Sequence, residues 1–319
     1  MSNVLLGRHD IVAPEKRDMV LQAARELEYI PVRPTLQNRH VETRVIAVPF
    51  DEPRKISWSI NSGTYSGICE KAMECGYDVL MLLRSDPDWV VERSEFQFLD
   101  KRSDGIIFAS PIIGETQHTF EALARHNIPT VVCYRRDLPE ELVWVDVDNQ
   151  GAMRGSVKHL VEMGHRRIVH LTLADKSSFD KRVRRDFFSE AMREFGLFEW
   201  AEGFVETEFF AADEELVRKV VAMGATGIVA MNDLLAIDFI KAAEQAGVSI
   251  PNDLSIIGVD GVDAPNYDLT SMEFSFEDIG LNATEALVDR MKGLPVEDCC
   301  REIPVQLVQR GSVRNLNGF

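Results

Sequence analysis

Short apolar runs alternate with amphipathic stretches along most of this chain, from about residue 44 onward. The runs are rich in β-branched side chains and follow one another at spacings of roughly 25 residues. The first five are RVIAVPF, YDVLMLL, DGIIFAS, PTVVCY and LVWVDVD. Buried parallel strands form continuous apolar runs of this kind, and helices cover both faces of the sheets they build. The pattern therefore predicts an α/β fold.

The same alternation repeats in the second half of the chain. Its apolar runs are RRIVHLT, TGIVAM and LSIIGVD, and helices are predicted at about 181–195, 212–222 and 232–246. Two series of four or five strands each predict two doubly wound parallel-sheet lobes. The predicted joint between them is VDVDNQG at 145–151, where a strand ends and a helix begins.

Composition narrows the class of protein. The chain has 319 residues, of which 45% are hydrophobic and 27% charged, as in soluble globular proteins. Its apolar runs fall short of the ~20 residues of a membrane helix, and no secretory signal opens the chain. The five cysteines form no ligand pattern. We therefore expect a cytoplasmic protein with free thiols, no metal and no membrane partner. A net charge of −17 argues against a surface devoted throughout to nucleic acid.

Polar side chains stand where several predicted strands end. They are Asp148, Asn149, Asn232, Asp233 and Asp260. Ligands of doubly wound proteins bind outside the carboxyl ends of the strands, so these residues predict a site for a polar small molecule. The alternative is that Asp and Asn cap the helices that follow. The two interpretations are balanced for Asp233 and Asn149, and the ligand role is favoured for Asp260 and Asn232.

An enzyme is the first alternative class. The sequence lacks a phosphate-binding loop, a nucleophile elbow and a zinc-protease motif. Asp146 and Asp148 are considered as an acid/base pair, and joint action of the two is rejected. A calcium loop at DVDNQGAMRGSV is rejected because Val157 stands where the twelfth-position glutamate is needed. His165, in GHRRI, is interpreted as ordering a turn. No catalytic residue and no cofactor is predicted.

Several longer segments match in order a known family, the lac-repressor/galactose-repressor (LacI/GalR) family of transcription regulators. They are VDVDNQGAMRGSVKHLVEMGHRRIVHLT, TGIVAMNDLLAIDFIKAAEQAGVSIPNDLSIIGVDG and LTSM. The resemblance covers essentially the whole chain. It implies a periplasmic-binding-protein-like core of type I, with one lobe at 44–149 plus about 276–295. The second lobe is implied at 150–275 plus about 300–314.

The first 43 residues resemble part of that family's DNA-binding region. SNVLLG is similar to the end of a recognition helix, and VAPEKRDMVLQAARELEYIP to the third helix of the head. The resemblance implies a partial, all-α helix-turn-helix head at 1–31 and a hinge linker at 32–43. Met1 stands where relatives have valine, so we expect the natural chain to start further upstream; a truncated protein is the alternative.

DNA contacts follow from the same resemblance. The implied DNA-binding residues are Ser2, Asn3, Arg8, Leu36 and Asn38. In the family, the hinge helix inserts a leucine wedge into the minor groove, which kinks the duplex. Here Asn38 occupies the wedge position, and the nearest leucine is Leu36. This departure puts minor-groove intercalation in doubt.

The family's effector site carries over residue by residue. RVRRDFFSEAM supplies an arginine, Arg184, whose planar fork suits hydroxyl or carboxylate partners in a wet cleft. It would act with Asn232 and Asp260. Phe187 replaces a family glycine and is expected either to narrow the pocket or to reset the helix. The remaining implied contacts are Phe209 or Phe210, Trp58, Asn61 and Phe274, with core packing as the alternative for the two phenylalanines.

The function implied is a ligand-responsive transcription regulator, a repressor. A small metabolite, such as a sugar or a derivative, would control how a homodimer binds two operator half-sites. Two alternatives remain. A DNA-free cytosolic sensor would use only the core, and a periplasmic sugar-binding protein would need a signal peptide.

Overall fold

A computed structural model describes most of the chain. The described residues are 13–26, 42–50, 59–83, 102–110, 117–174, 179–208, 212–262 and 266–318. They form two compact units. Unit 1 contains the described residues up to Val145 together with Glu277–Arg301, and unit 2 contains those of Asp146–Phe276 and of the segment that begins at Glu302. The predicted fold class, two doubly wound α/β lobes, is confirmed.

Unit 1 is built on the first series of strands. The strands are β1 (Val45–Phe50), β2 (Asp78–Leu83), β3 (Gly105–Phe108), β4 (Thr130–Cys133) and β5 (Val143–Val147), the last of which ends in unit 2. The helices are α1 (Pro14–Glu26), α2 (Ser59–Glu74), α3 (Gln117–Arg125), α8 (Phe276–Met291) and the short α9 (Val296–Cys299). A late strand, β11 (Arg301–Ile303), adds to the same sheet beside β5.

The first sheet has the order β11-β5-β4-β3-β1-β2. The described pairings among β1 to β5 are parallel; Ile46, for example, lies opposite Val79 on one side and Gly105 on the other. Every residue of β3 and β4 is buried, as expected of strands that helices cover on both faces. On one face of the sheet, Phe108 packs edge-on against Phe120 of α3 at 5.1 Å between ring centres.

Unit 2 repeats this plan. Its strands are β6 (Ile168–Leu173), β7 (Phe204–Thr207), β8 (Gly227–Ala230), β9 (Ser255–Asp260), β10 (Thr270–Glu273) and β12 (Gln306–Val308). Its helices are α4 (Asn149–Glu162), α5 (Phe179–Glu194), α6 (Glu214–Ala222) and α7 (Asp233–Gln245). The three predicted helices of this half correspond to α5, α6 and α7, with ends within two residues of those predicted.

The second sheet has the order β12-β10-β9-β8-β6-β7. Its pairings are parallel except for β12, which runs antiparallel to β10. One face packs on α6 and α7 through residues such as Val217, Leu235 and Phe239. The other packs on α4 and α5 through residues such as Met153 and Phe188. The strands therefore end between two layers of helices, which is where a doubly wound sheet binds ligands.

The N-terminal region is described only from residue 13 to 26. There Pro14 begins α1, as the sequence predicts, because proline fits the first helical position, where no intrahelical donor is needed. Met19 on this helix is 70% exposed. Among the described helices, none has the length and apolar character needed to cross a membrane.

Candidate functional site

The order of the strands in unit 2 marks one point at which polar groups converge. β6 pairs with both β7 and β8, so the connections that leave β6 and β8 pass to opposite faces of the sheet. This reversal is the topological switch point, and ligands bind beside it at the carboxyl ends of the strands. α5 follows β6 and carries Arg184, and Asn232 follows β8 directly.

The guanidinium of Arg184 joins three separate elements at this point. Its Nε donates to Asn149 Oδ1 at 2.8 Å, at the start of α4. One terminal nitrogen donates to the carbonyl oxygen of Met231 at 2.5 Å, just after β8, and the other pairs with Asp260 Oδ1 at 2.9 Å, at the end of β9. Arg184 therefore fixes the start of one helix and the ends of two strands.

Arg184 is buried rather than wet. The residue is 4% exposed, whereas the sequence leads us to expect that its partners face a wet cleft. Burial works against its charge, but Asp260, Asp180 and Asp146 together outweigh burial and raise the pKa of Arg184. Arg184 is therefore permanently charged, and its positive charge interacts with the negative charges of three carboxylates.

Asp146, near the end of β5, explains how Asn149 is held. Asp146, 1% exposed, accepts from the Asn149 amide at 3.3 and 3.4 Å and from the backbone N–H of Val147 at 2.8 Å. The oxygen of the Asn149 amide is thereby turned toward Arg184. Asp146 was dismissed at the sequence level as half of an acid/base pair. Its role here is to orient an amide.

Asp260 has an unusual backbone conformation. Its φ is 111°, which side chains other than glycine rarely adopt, and Gly261 follows with φ 78°. Burial raises the pKa of Asp260 to about 6, and the paired Arg184 guanidinium opposes that rise. Strained backbone of this kind is found preferentially at active sites and ligand-binding sites.

Asp233 faces the same turn from the start of α7. Its Oδ2 accepts from the backbone N–H groups of Gly261 and Val262, each at 2.8 Å, and its Oδ1 accepts from the Ser271 hydroxyl at 2.7 Å. Burial, followed by the charge of Asp260, raises the pKa of Asp233 to about 7. Asp233 thus connects α7 to β9 and β10 instead of capping its helix.

The capping interpretation applies to two other predicted residues. Asn232, for which a ligand role was favoured, caps α7 because its Oδ1 accepts from Leu235 N–H at 3.0 Å. Asp148 caps α4 by accepting from Gly151 N–H at 2.7 Å. Both oxygens are therefore committed to backbone donors. The amide nitrogen of Asn232 is the atom through which it would contact a ligand.

The aromatic and unit 1 candidates are only partly described. Phe274 is half-buried just after β10, with its ring edge-on to Phe276 at 5.0 Å. Asn61 lies on α2 of unit 1 and is buried. Eight predicted residues lie outside the described ranges: Ser2, Asn3, Arg8, Leu36, Asn38, Trp58, Phe209 and Phe210.

Two neighbouring residues have structural roles. Phe187 packs against the hydrophobic cluster shared by α4 and α5, so the expectation that its ring narrows a pocket is not supported by its contacts. His165 is bonded through both ring nitrogens, to Thr226 Oγ1 at 3.1 Å and to the carbonyl oxygen of Arg314 at 3.0 Å. This pairing agrees with the predicted role of His165 in ordering a turn.

Three partners in the site gave no clear signal in the sequence. The carbonyl of Met231 is a backbone group, so the identity of the residue does not indicate that it accepts a hydrogen bond from Arg184. Ser271 lies in LTSM, a segment noted only for its resemblance. Asp233 was assigned to capping or ligand binding, neither of which is its main contact. Within the described ranges, no group of three or more His, Cys, Asp or Glu residues is arranged to hold a metal.

The fold and the buried polar cluster at the strand ends define the class: a ligand-binding α/β protein of the periplasmic-binding-protein type. A family model described as a periplasmic binding protein-like domain matches residues 157–313. The transcriptional regulator DegA of Bacillus subtilis strain 168 is 30% identical over 255 residues, which cover 78% of this chain and 74% of DegA. The chain belongs to the LacI/GalR family of transcription regulators.

Two further comparisons extend over almost the whole chain. The ribose operon repressor of Halalkalibacterium halodurans strain C-125 is 27% identical over 318 residues, or 97% of this chain and 92% of the repressor. A solved complex of the transcriptional regulator CelR with cellobiose has a TM-score of 0.73 at 22% identity, covering 98% of this chain and 94% of CelR. The predicted family is thus confirmed, and these relatives are regulators rather than enzymes.

Proposed function

We propose that this regulator binds an uncharged sugar at the Arg184–Asp260 site of unit 2, and that sugar binding controls its affinity for operator DNA. The observation that carries the proposal is the ion pair itself. Arg184 is buried, Asp260 leaves 13% of its side chain exposed, and the two meet at 2.9 Å at the switch point of a doubly wound sheet.

The charges of the site favour a neutral ligand. Among the described residues, one guanidinium meets the charges of three carboxylates, those of Asp260, Asp180 and Asp146. The positive charge of Arg184 is thus already compensated. A phosphate or carboxylate on the ligand would add negative charge to a site that holds an excess of it, in surroundings of low dielectric constant.

Hydroxyl groups fit the same site because they both donate and accept. The described bonds use one N–H of each Arg184 nitrogen, which is three of the five donors of the guanidinium. Asp260 Oδ1 is bonded to Arg184, and its carboxylate has further acceptor capacity. A vicinal diol can bridge an arginine N–H and a carboxylate oxygen. We expect the Asn232 amide nitrogen to supply a further donor.

The relatives support a sugar as the ligand class. One relative is named a ribose operon repressor, and CelR was solved with cellobiose. Stacking on a sugar ring would come from Phe209, Phe210, Phe274 or Trp58, with Asn61 as a polar contact. These five remain predicted effector contacts, and so do Asp148 and Asn149, the latter acting through Arg184.

DNA binding is assigned to the N-terminal region. We infer a helix-turn-helix head at 1–31, of which α1 is described, and a hinge at 32–43. The predicted DNA contacts of the head and hinge are Ser2, Asn3, Arg8, Leu36 and Asn38. A homodimer would place two heads on two half-sites one helical turn apart. Sugar binding would then shift the dimer between a conformation that fits both half-sites and one that does not.

The first test is a panel of ligands in a thermal unfolding assay. D-ribose, D-glucose and cellobiose are compared with ribose 5-phosphate and glucose 6-phosphate. At least one uncharged sugar should raise the Tm in proportion to the logarithm of its concentration, and the phosphorylated sugars should not. Stabilisation by a phosphorylated sugar alone would overturn the assignment of a neutral ligand.

The second test concerns DNA. The fragment upstream of the protein's own gene is titrated in a gel-shift assay, with and without the sugar found in the first test. We expect retarded DNA whose amount changes when the sugar is added. Sedimentation of the free protein should give the mass of a dimer. A sugar that stabilises the protein without changing any DNA complex would remove the regulatory half of the proposal.

A further inference from the structure

We propose that Asp233 is a positioning residue for the effector site: its carboxylate holds the turn that follows β9 and thereby orients Asp260 toward Arg184. The inference rests on the proposed function only in its last step, from Asp260 to the sugar. Its first step, from Asp233 to the turn, concerns the protein alone.

The bonds of Asp233 are arranged as a clamp. One carboxylate oxygen receives two consecutive backbone N–H groups, from Gly261 and Val262, and the other receives the Ser271 hydroxyl. The two N–H groups belong to the residues immediately after Asp260. Asp233 is 2% exposed, so these bonds are made out of contact with water, where they are strong and costly to lose.

A glycine on β9, Gly258, leaves the space that the Asp233 carboxylate occupies. A Cβ atom on Gly258 would lie 2.0 Å from Asp233 Oδ1, which is far inside contact distance. Gly258 is two residues before Asp260 on the same strand. A glycine at this position lets the Asp233 carboxylate lie directly against the backbone of β9.

The turn needs to be held because it is strained. Asp260 has a φ of 111°, a conformation that is unfavourable for a residue other than glycine. A relaxed backbone would rotate the Asp260 side chain away from Arg184. The two N–H groups that Asp233 accepts come from the next two residues, so the clamp acts where the chain would otherwise relax.

The clamp depends on pH in the neutral range. The charged group that acts on Asp233 is Asp260 on β9, which faces Arg184 of α5 in turn. On β10 the facing group is Ser271, and Glu273 two residues on is paired with Arg310 at 2.5 Å. With a pKa of about 7, Asp233 gains negative charge as the pH rises through neutrality, and its bonds to the backbone N–H groups become stronger.

The first experiment needs no ligand. Backbone amide resonances of Gly261 and Val262 are followed by NMR from pH 5.5 to 8.5 in wild type, Asp233→Asn and Asp213→Asn. Asp213 is the matched control because it also stands at the start of a helix of unit 2 and accepts from a backbone N–H, but at the surface. Both resonances should shift with a midpoint near pH 7 in wild type and in Asp213→Asn.

In Asp233→Asn the midpoint near pH 7 should disappear, because the amide cannot ionise, and only the effect of the adjacent Asp260, near pH 6, should remain. Resonances that titrate identically in wild type and in Asp233→Asn would overturn the clamp. Neither outcome depends on which sugar binds, or on whether any does. Failure of the proposed function would appear separately, as an absence of stabilisation by D-ribose, D-glucose and cellobiose.

The second experiment connects the clamp to the ligand. Affinity for the stabilising sugar of that panel is measured by calorimetry. Asp233→Ala should lose affinity by about tenfold or more, since the two N–H groups lose their acceptor. Asp233→Asn should recover most of the loss, because an amide oxygen can accept both N–H groups. Equal affinity of wild type and Asp233→Ala would refute positioning; if Asp233→Ala does not fold, the pH titration decides alone.

Discussion

The two units share one strand order but differ in what lies near their strand ends. Leaving out the late strands β11 and β12, both sheets follow the doubly wound order 2-1-3-4-5 when each is numbered from its own first strand. In unit 2, charged groups meet there in a largely buried pair, Arg184 and Asp260. In unit 1, the buried contact described at the end of β4 is uncharged: the Tyr134 hydroxyl bonds to the Thr64 hydroxyl at 2.7 Å.

The ion pairs of the two units also differ in how deeply they are buried. The ion pairs described in unit 1 leave at least a fifth of each side chain exposed, so they add little to stability. In unit 2 a single arginine crosslinks α4, β8 and β9. Strand order therefore fixes where a site can form, and the residues at the strand ends decide whether it is charged.

Removing the arginine should have the largest effect. Arg184→Ala leaves the largely buried Asp260 carboxylate without its cation, and we expect unit 2 to lose about 3 kcal/mol of unfolding free energy. Binding of the sugar should be lost as well. Urea unfolding measured by circular dichroism gives the free energy. Arg154→Ala is the control, because Arg154 pairs with Glu194 at the surface, and it should change little.

An unfolding free energy of Arg184→Ala close to that of wild type would mean that the Arg184–Asp260 pair does not stabilise unit 2. The two units would then differ in the residues at their strand ends but not in how much those residues contribute to stability.

A glycine contact in unit 1 should give the next largest effect. A Cβ on Gly67 of α2 would lie 2.1 Å from the carbonyl oxygen of Glu277 on α8, so the two helices would have to separate. Gly67→Ala should cost about 2 kcal/mol of unfolding free energy. Gly155→Ala is the control in unit 2, because its Cβ would meet only the end of the flexible Met272 side chain. An equal loss of unfolding free energy for the two substitutions would show that α2 and α8 can move apart at little cost in stability.

The pH dependence of stability should also separate the units. Burial lowers the pKa of His170 in unit 2 to about 3, with Arg185 and Arg184 acting in the same direction and its bond to the Val229 carbonyl opposing. The unfolded chain therefore binds a proton below about pH 6.5 that the folded chain does not. His170 thus lowers the free energy of unfolding by about 1.4 kcal/mol per pH unit as the pH falls from 6.5 toward 3.

His170→Phe, which keeps a ring against Phe188, isolates this contribution. The difference in unfolding free energy between wild type and variant is measured from pH 7.5 to 4.5 by urea unfolding. Wild type should lose stability relative to His170→Phe as the pH falls. Asp233 and Asp260 act in the opposite sense, because their raised pKa values cost stability as the pH rises through 4 to 7. A difference in unfolding free energy that stays constant with pH would show that folding does not lower the pKa of His170.

The smallest effect is expected at the hydroxyl pair of unit 1. Tyr134→Phe removes one buried bond, and Thr64 keeps its bond to the carbonyl of Ile60 at 2.7 Å. We expect a loss of about 1 kcal/mol in the free energy of unfolding. Thr64→Val tests the same bond from the other side and should cost more, since it removes both bonds. A loss above that of Arg184→Ala would reverse the ranking of the two units.

Much of the fold was predictable because buried parallel strands leave a strong signal. The runs that became β1, β3 and β8 have no polar side chain in sequence and are almost wholly buried in the structure. β7 and β12 were missed because they are three or four residues long and half-exposed. β12 also departs from the predicted parallel pattern, since a C-terminal strand can return antiparallel at a sheet edge.

The site was predictable in position but not in detail. Strand ends identified Asp260 and Asn149, and the resemblance identified Arg184. The division of labour among neighbouring polar residues was not predictable, because it depends on side-chain rotamers and long-range pairing. Asn232 and Asp233 are adjacent in sequence; one caps a helix, and the other clamps a turn 28 residues away. Periodicity cannot separate such roles.

The most direct test of the central claim is calorimetric titration of the stabilising uncharged sugar into wild type and Asp260→Asn. Asp260→Asn keeps the size of the side chain but removes the charge that faces Arg184. The account predicts micromolar to millimolar binding to wild type, and a loss of about tenfold or more in the variant. Equal affinity in the two proteins would contradict it, and would place sugar recognition away from the Arg184–Asp260 pair.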